Sequence, residues 1–152
     1  LMTKKDVFTQ RDLAKKTHLM HILNMMSTVI SDFFNRNELS LQFLDDYSFD
    51  FKRKDDVVII LERTADYILK LKSKSYWYSK SNIFSLIVAI AKIIDDIDSI
   101  DANKLKLNLE KFELNIPQDY KLASSEGVNN KKERELRNSY ITQIINDSKY
   151  TN

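Results

Sequence analysis

The 152-residue chain carries 24 Lys and Arg against 22 Asp and Glu, a net charge of +2, and no cysteine. That balance excludes a histone-like protein held on nucleic acid by bulk charge, and the missing thiols exclude disulfides, thiolate zinc sites and thiol redox chemistry. One glycine, Gly127, and one proline, Pro117, exclude a P-loop, a dinucleotide fingerprint and a nucleophile elbow, each of which needs two or more glycines.

Hairpins also lean on glycine for positive φ, so the chain reads as all-α: one helical domain over residues 1–152, a bundle of about six or seven helices. Its length suffices to hide roughly 68–70% of the unfolded surface. The longest apolar run, Ile83 to Ile94, is shorter than the roughly 20 residues that span a bilayer, so no membrane partner is expected and the location expected is cytoplasmic. The opening Leu1-Met2-Thr3-Lys4-Lys5 places a residue ahead of the methionine and reads as a cut from a longer protein, with the helical domain as its C-terminal part. The abundance of Lys, Asn, Ile and Asp hints at an AT-rich bacterial genome.

In chain order, Thr9 with Asp12 predicts a capping box opening a short helix through Lys16, or one running into the next. Leu19, Ile22, Leu23, Met26, Val29, Ile30, Phe33 and Phe34 form an apolar stripe over about four turns, stopped at Asn35-Arg36-Asn37. Residues 38–53 mix a helical turn with an aromatic connector. Asp55 or Asp56 caps a helix to about Lys72 that carries Val57, Ile60, Leu61, Thr64, Ile68 and Leu71. Ser79 or Ser81 caps the most apolar helix, Ile83 to about Asp95, which is expected at the centre. Leu105, Leu109 and Phe112 mark a helix from roughly Ala102 to Glu113, and Pro117 suits the first turn of a short one. Asn130 with Glu133 caps a last helix whose apolar face is Leu136, Tyr140, Ile141, Ile144 and Ile145.

Few constellations carry chemistry. His18 and His21 share a helix face, but no third ligand follows, and they read as two partly exposed histidines with no metal. Asp95, Asp96, Asp98 and Asp101 lack the glycine and terminal glutamate of a calcium loop and read as a solvated helix end. Asp45, Asp46 and Asp50 form a second acidic group beside Tyr47, Phe49 and Phe51, and acid–base or two-metal work there would need a cleft and partner bases that only a fold can supply. No catalytic residue and no cofactor are implied.

Two segments suit nucleic acid. Tyr76-Trp77-Tyr78 lies among Lys72, Lys74 and Lys80, rings among cations as a base-stacking platform requires, although such rings also pin loops onto a bundle. The segment Lys121 to Arg137 suits phosphate contact through Lys131, Lys132, Arg134 and Arg137 at the start of the last helix, which are expected near solvent, diluted by Glu126, Glu133 and Glu135, with Glu133 to Arg137 as an i,i+4 pair.

Taken in order, Phe8-Thr9-Gln10-Arg11-Asp12-Leu13, Leu41-Gln42-Phe43-Leu44-Asp45-Asp46-Tyr47, Ser81-Asn82-Ile83-Phe84-Ser85-Leu86-Ile87-Val88-Ala89, Ala123-Ser124-Ser125 and Asn129-Asn130-Lys131-Lys132-Glu133-Arg134 resemble one known region. It is the helical region that follows the ParB/sulfiredoxin-like domain in proteins similar to the S component of GmrSD-type, modification-dependent restriction systems. The resemblance covers nearly the whole chain through loose patterns rather than catalytic signatures. It implies a noncatalytic module of a bacterial restriction or anti-phage protein, whose nucleotide-dependent endonuclease chemistry lies in other domains. Neither an Asp-Gly-x-x-Arg stretch nor paired His-Asn-His residues occur here, so no family catalytic residue carries over. The partners so implied are an upstream nuclease domain of the same chain, DNA, or further subunits. The competing expectation is a standalone helical protein-binding or oligomerisation domain, with exposed aromatics as its contact surface.

Overall fold

Apolar residues spaced at three and four positions fold as eight α-helices and three short 3-10 segments in the computed structural model, which describes residues 1–31 and 37–150. The helices are α1 (Gln10–Ala14), α2 (Thr17–Ser31), α3 (Asn37–Asp46), α4 (Lys54–Leu71), α5 (Lys80–Ala91), α6 (Ala102–Leu114), α7 (Gln118–Ser125) and α8 (Lys131–Asn146). The all-α class holds, and the helix number exceeds the six or seven predicted for two local reasons. Lys16 adopts φ +57° and separates α1 from α2, and the stretch expected to hold one turn and a connector forms the ten-residue α3. No strand occurs among the described residues, only one antiparallel bridge between Ile100 and Lys149. No helix among them is long and apolar enough to cross a membrane.

Helix starts follow the capping signals in part. The Thr9–Asp12 box forms as expected: Asp12 N–H donates to Thr9 Oγ1 at 3.2 Å and Thr9 N–H to Asp12 Oδ2 at 2.9 Å. Asp101 opens α6 by accepting from the N–H groups of Asn103 and Lys104. Other predicted caps are corrected. Helix α4 begins at Lys54, so Asp55 and Asp56 lie inside its first turn, where their charge complements the helix dipole. Ser79 and Asn130 occupy the cap positions of α5 and α8 without a side-chain cap bond, and Pro117 is the cap residue of α7 rather than part of its first turn. With a single glycine available, α4 ends on Lys72 at φ +50°, a left-handed conformation that costs a non-glycine residue roughly 1–2 kcal/mol.

The core is built round α5, whose residues Asn82 to Ala91 are all buried and which packs against α2, α4, α7 and α8. It stops at Ala91, short of Asp95, and a 3-10 segment, Ile94–Ser99, carries the chain to α6. Helix α4 buries Val57, Thr64, Ile68 and Leu71, α6 buries Leu105 and Leu109, and α8 buries Ile141, Ile144 and Ile145. These residues belong to the predicted faces, of which Ile60, Leu61, Phe112, Leu136 and Tyr140 are half-buried.

Helix α2 departs from its predicted stripe. Leu19 and Ile22 remain 54% and 37% exposed, while Asn24, Ser27 and Thr28 are buried beside Met25. Each of these polar side chains donates to a carbonyl of its own helix: Asn24 Nδ2 to Met20 O (2.9 Å), Ser27 Oγ (3.0 Å) and Thr28 Oγ1 (2.7 Å) to Asn24 O. A polar group satisfied locally enters the interior without a desolvated, unpaired atom. Phe33, Phe34 and the Asn35-Arg36 stop lie outside the described residues.

Candidate nucleic-acid interface

Both candidate segments touch the first turns of α5, Tyr76 through Asn82, and Arg134 and Arg137 through Phe84 and Ser85. The chain leaves α4 through Lys72, makes the 3-10 turn Ser75–Tyr78 and enters α5 at Lys80. This turn is pinned to the bundle by its middle residue. Trp77 is 0% exposed, with ring centroids 5.4 Å from Tyr76 and 5.8 Å from Phe112, and the stack continues from Phe112 to Tyr120 (4.9 Å) and from Tyr120 to Tyr140 (5.5 Å). Tyr140 closes the row by donating to Asp119.

The expectation of a three-ring stacking platform is therefore corrected. Trp77 is a core residue, and Tyr78 is buried with its hydroxyl accepting from Ser73 Oγ at 3.1 Å and its ring covered by Lys5 Nζ at 4.6 Å. Only Tyr76 is half-buried. Large aromatic area gains more from the core than from water, and it takes the inner positions of the turn.

Asn82, buried on the first turn of α5, ties the corner together. Its Nδ2 donates to Tyr76 O (3.0 Å), and its Oδ1 accepts from Tyr120 Oη (3.1 Å) and Ser124 Oγ (3.3 Å). Desolvation pushes the Tyr120 phenol up, so this hydroxyl stays a donor. Ser81 adds a bond from Oγ to Ser124 O. The start of α5 and the end of α7 are thereby held as one rigid wall.

Along that wall runs an open groove of about 860 Å³, lined by Lys4, Lys5 and Lys121, the rings of Tyr76 and Tyr78, several serine hydroxyls, and one acid, Asp6. Two candidate residues, Tyr76 and Tyr78, are brought here. Lys121 opens the segment expected to meet phosphate, whereas Lys4 and Lys5 come from the other end of the chain and share no local pattern with it.

The basic start of α8 divides into two pairs. Lys131 and Lys132 are exposed as expected, with Lys131 3.7 Å from Glu135, its i,i+4 neighbour. Arg134 and Arg137, expected near solvent, are corrected: they are 3% and 1% exposed. Arg137 reaches across to α5 and the α7–α8 loop, donating Nε to Ser85 Oγ (3.1 Å), Nη2 to Val128 O (2.9 Å) and Nη1 to Ala123 O. Arg134 lays its guanidinium 4.8 Å over the Phe84 ring and donates to Asn129 Oδ1 at 3.2 Å. The signal was in the spacing, since 134, 137, 141 and 144 step by three and four and place both arginines on the stripe of Ile141 and Ile144.

Several of the remaining candidates have local partners, among them Asp50, 3.8 Å from Lys52. Asp95 pairs with Arg63 at 2.7 Å and Asp101 caps α6. His18 and His21 face Phe8, at 6.0 and 5.4 Å between rings. Among the described residues no group of three or more His, Asp or Glu is placed to hold a metal ion. No family model, curated protein or solved structure matches the chain.

Proposed function

We propose that the chain is a noncatalytic helical module that contacts nucleic acid along the groove at the start of α5. On the resemblance to GmrSD-type proteins, it would position a nuclease domain of the same polypeptide on DNA or hold subunits together in a bacterial restriction or anti-phage protein. The observation that supports the nucleic-acid contact is the groove lining: Lys4, Lys5 and Lys121 against Asp6 alone, around the half-buried Tyr76 and a row of hydroxyls. Lysines and hydroxyls suit phosphate oxygens, and a tyrosine edge suits a base or sugar, which together give binding with little sequence preference.

Fluorescence anisotropy on a labelled single-stranded oligonucleotide tests this between about 50 and 200 mM salt. The triple variant Lys4→Ala, Lys5→Ala, Lys121→Ala should bind at least tenfold more weakly, with a salt slope shallower by about 2, as loss of three phosphate contacts produces. Lys131→Ala with Lys132→Ala serves as the comparison. A loss confined to that double variant would move the interface to the start of α8, and unchanged binding in both would overturn the nucleic-acid reading.

A further inference from the structure

A second, smaller pocket shares Ser81 with the groove and lies between α2, the start of α5, the α7–α8 loop and α8. Its volume of about 150 Å³ equals roughly five water molecules and is too small for the ligands that fill ordinary drug-sized clefts. Three cations, Lys80, Arg134 and Arg137, line it together with His21, Asn24 and Asn129, and none of the described residues lining it is acidic. Among the described residues two carboxylates act on these cations from outside the lining: Asp12 pairs with Lys80 at 2.6 Å, and Glu133 lends Arg137 a favourable charge.

The pocket is built rather than adventitious. Both arginines are almost fully buried. Arg137 is held by three neutral oxygens, those of Ser85, Ala123 and Val128, which fix its position without cancelling its charge. His21 packs edge-on between Phe8 and Phe84, at 5.4 and 5.6 Å, and its buried Nε2 has no hydrogen-bond partner. The cations act on one another: desolvation and then the charge of Arg137 pull Arg134 down to about 10, while desolvation, Arg134 and Lys80 pull His21 down to about 4. A site that gathers buried positive charge and leaves an imidazole nitrogen unpaired is complementary to a compact anion with several acceptor oxygens.

We infer that this pocket binds a single phosphoryl group, held by Arg134, Lys80 and His21 with Arg137 as the buried charge beneath it. The group is either free phosphate or the terminal monoester of a nucleotide chain. Such a ligand would hydrogen-bond His21 and raise its affinity for a proton, which gives a readout that ordinary ionic strength does not reproduce.

The decisive variant is Asn129→Asp, at an exposed, isosteric position whose Oδ1 already accepts from Arg134. It supplies the pocket with a carboxylate of its own, competing with the anion while keeping the partner that Arg134 has. In the wild-type chain, inorganic phosphate should raise the melting temperature more than chloride of equal ionic strength and shift the His21 imidazole pKa upward by at least one unit in an NMR titration. The Asp variant should keep its melting temperature in chloride and lose both responses. A 5′-phosphorylated oligonucleotide binding at least tenfold more tightly than its 5′-hydroxyl form, in the wild type alone, assigns the pocket to a terminal monoester. Equal binding of the two, beside a response to inorganic phosphate, assigns it to the free ion. No response specific to phosphate, or one that persists in full in Asn129→Asp, overturns the site. The groove lysines take no part in it, so Lys4→Ala, Lys5→Ala, Lys121→Ala should leave the inorganic-phosphate response intact whatever becomes of oligonucleotide binding.

Discussion

Arg137 shows how one side chain can be both charged and part of the core. Its guanidinium satisfies two backbone carbonyls and a hydroxyl that would otherwise be buried without a donor. Arg137→Met keeps much of the stem's apolar contact and orphans those acceptors, each costing about 1–3 kcal/mol, although the buried charge that disappears with it offsets part of the loss. We expect a net destabilisation of about 2–3 kcal/mol, read from urea unfolding midpoints. His21 gives a pH-dependent counterpart. Its folded pKa of about 4 lies below the unfolded value of 6.5, so the unfolded chain binds the extra proton between the two. Stability from this group is complete above about pH 6.5 and drains away as the pH falls toward 4, by an amount on the order of 2–3 kcal/mol. His21→Phe preserves a ring between Phe8 and Phe84 and removes the titration. Its unfolding midpoint should fall less between pH 7 and pH 5 than that of the wild type.

Among the elements, α8 joins a structural face to an exposed one. Ile141, Ile144 and Ile145 dock on the bundle, against α5, α6 and α7, while Lys131, Lys132 and Glu135 stay in water. Ile141→Asp places an unpaired carboxylate at a fully buried position and should cost about 4 kcal/mol or more, enough to unfold a domain of ordinary stability. Lys131→Ala with Lys132→Ala should change stability by no more than about 0.5 kcal/mol, and thermal melts of the two variants check both limits. Gly127 sets the approach to α8. It takes φ +56°, and a Cβ there would stand 2.6 Å from Asn130 Nδ2, so the chain's one glycine sits where the loop carrying Val128 and Asn129 turns into the last helix.

At the scale of the whole molecule, buried residues of α2, α4, α5, α6 and α8 join one apolar cluster, to which none of the described residues of α3 belongs, and α3 packs on α2. Helices α2 and α3 leave Leu19, Ile22, Leu41 and Leu44 exposed. That surface is what favours the competing reading of an oligomerisation or protein-binding domain. On that reading the weight-average mass in sedimentation should rise with concentration, and Leu19→Asp with Leu41→Asp should return it to the monomer. A strict monomer at high micromolar concentration removes self-association.

The spacing of apolar residues, with a single glycine and a single proline, determined the all-α class, the central place of α5 and the inner faces of α4, α6 and α8. Burying a periodic stripe is the dominant favourable term for such helices, and a stripe is a local property of the chain. The Thr9–Asp12 box was legible for the same reason, since both partners lie within one turn. Residue type misled where burial depends on distant partners. Arg134 and Arg137 read as solvated cations, yet Phe84, Ser85, Ala123, Asn129 and Val128 supply a ring and oxygens that the sequence places up to 52 residues away. Trp77 read as part of a platform, and Phe112 gave it a core contact instead. The groove lysines and the pocket beside Ser81 exist only in three dimensions, because helix packing alone brings the residues of each together.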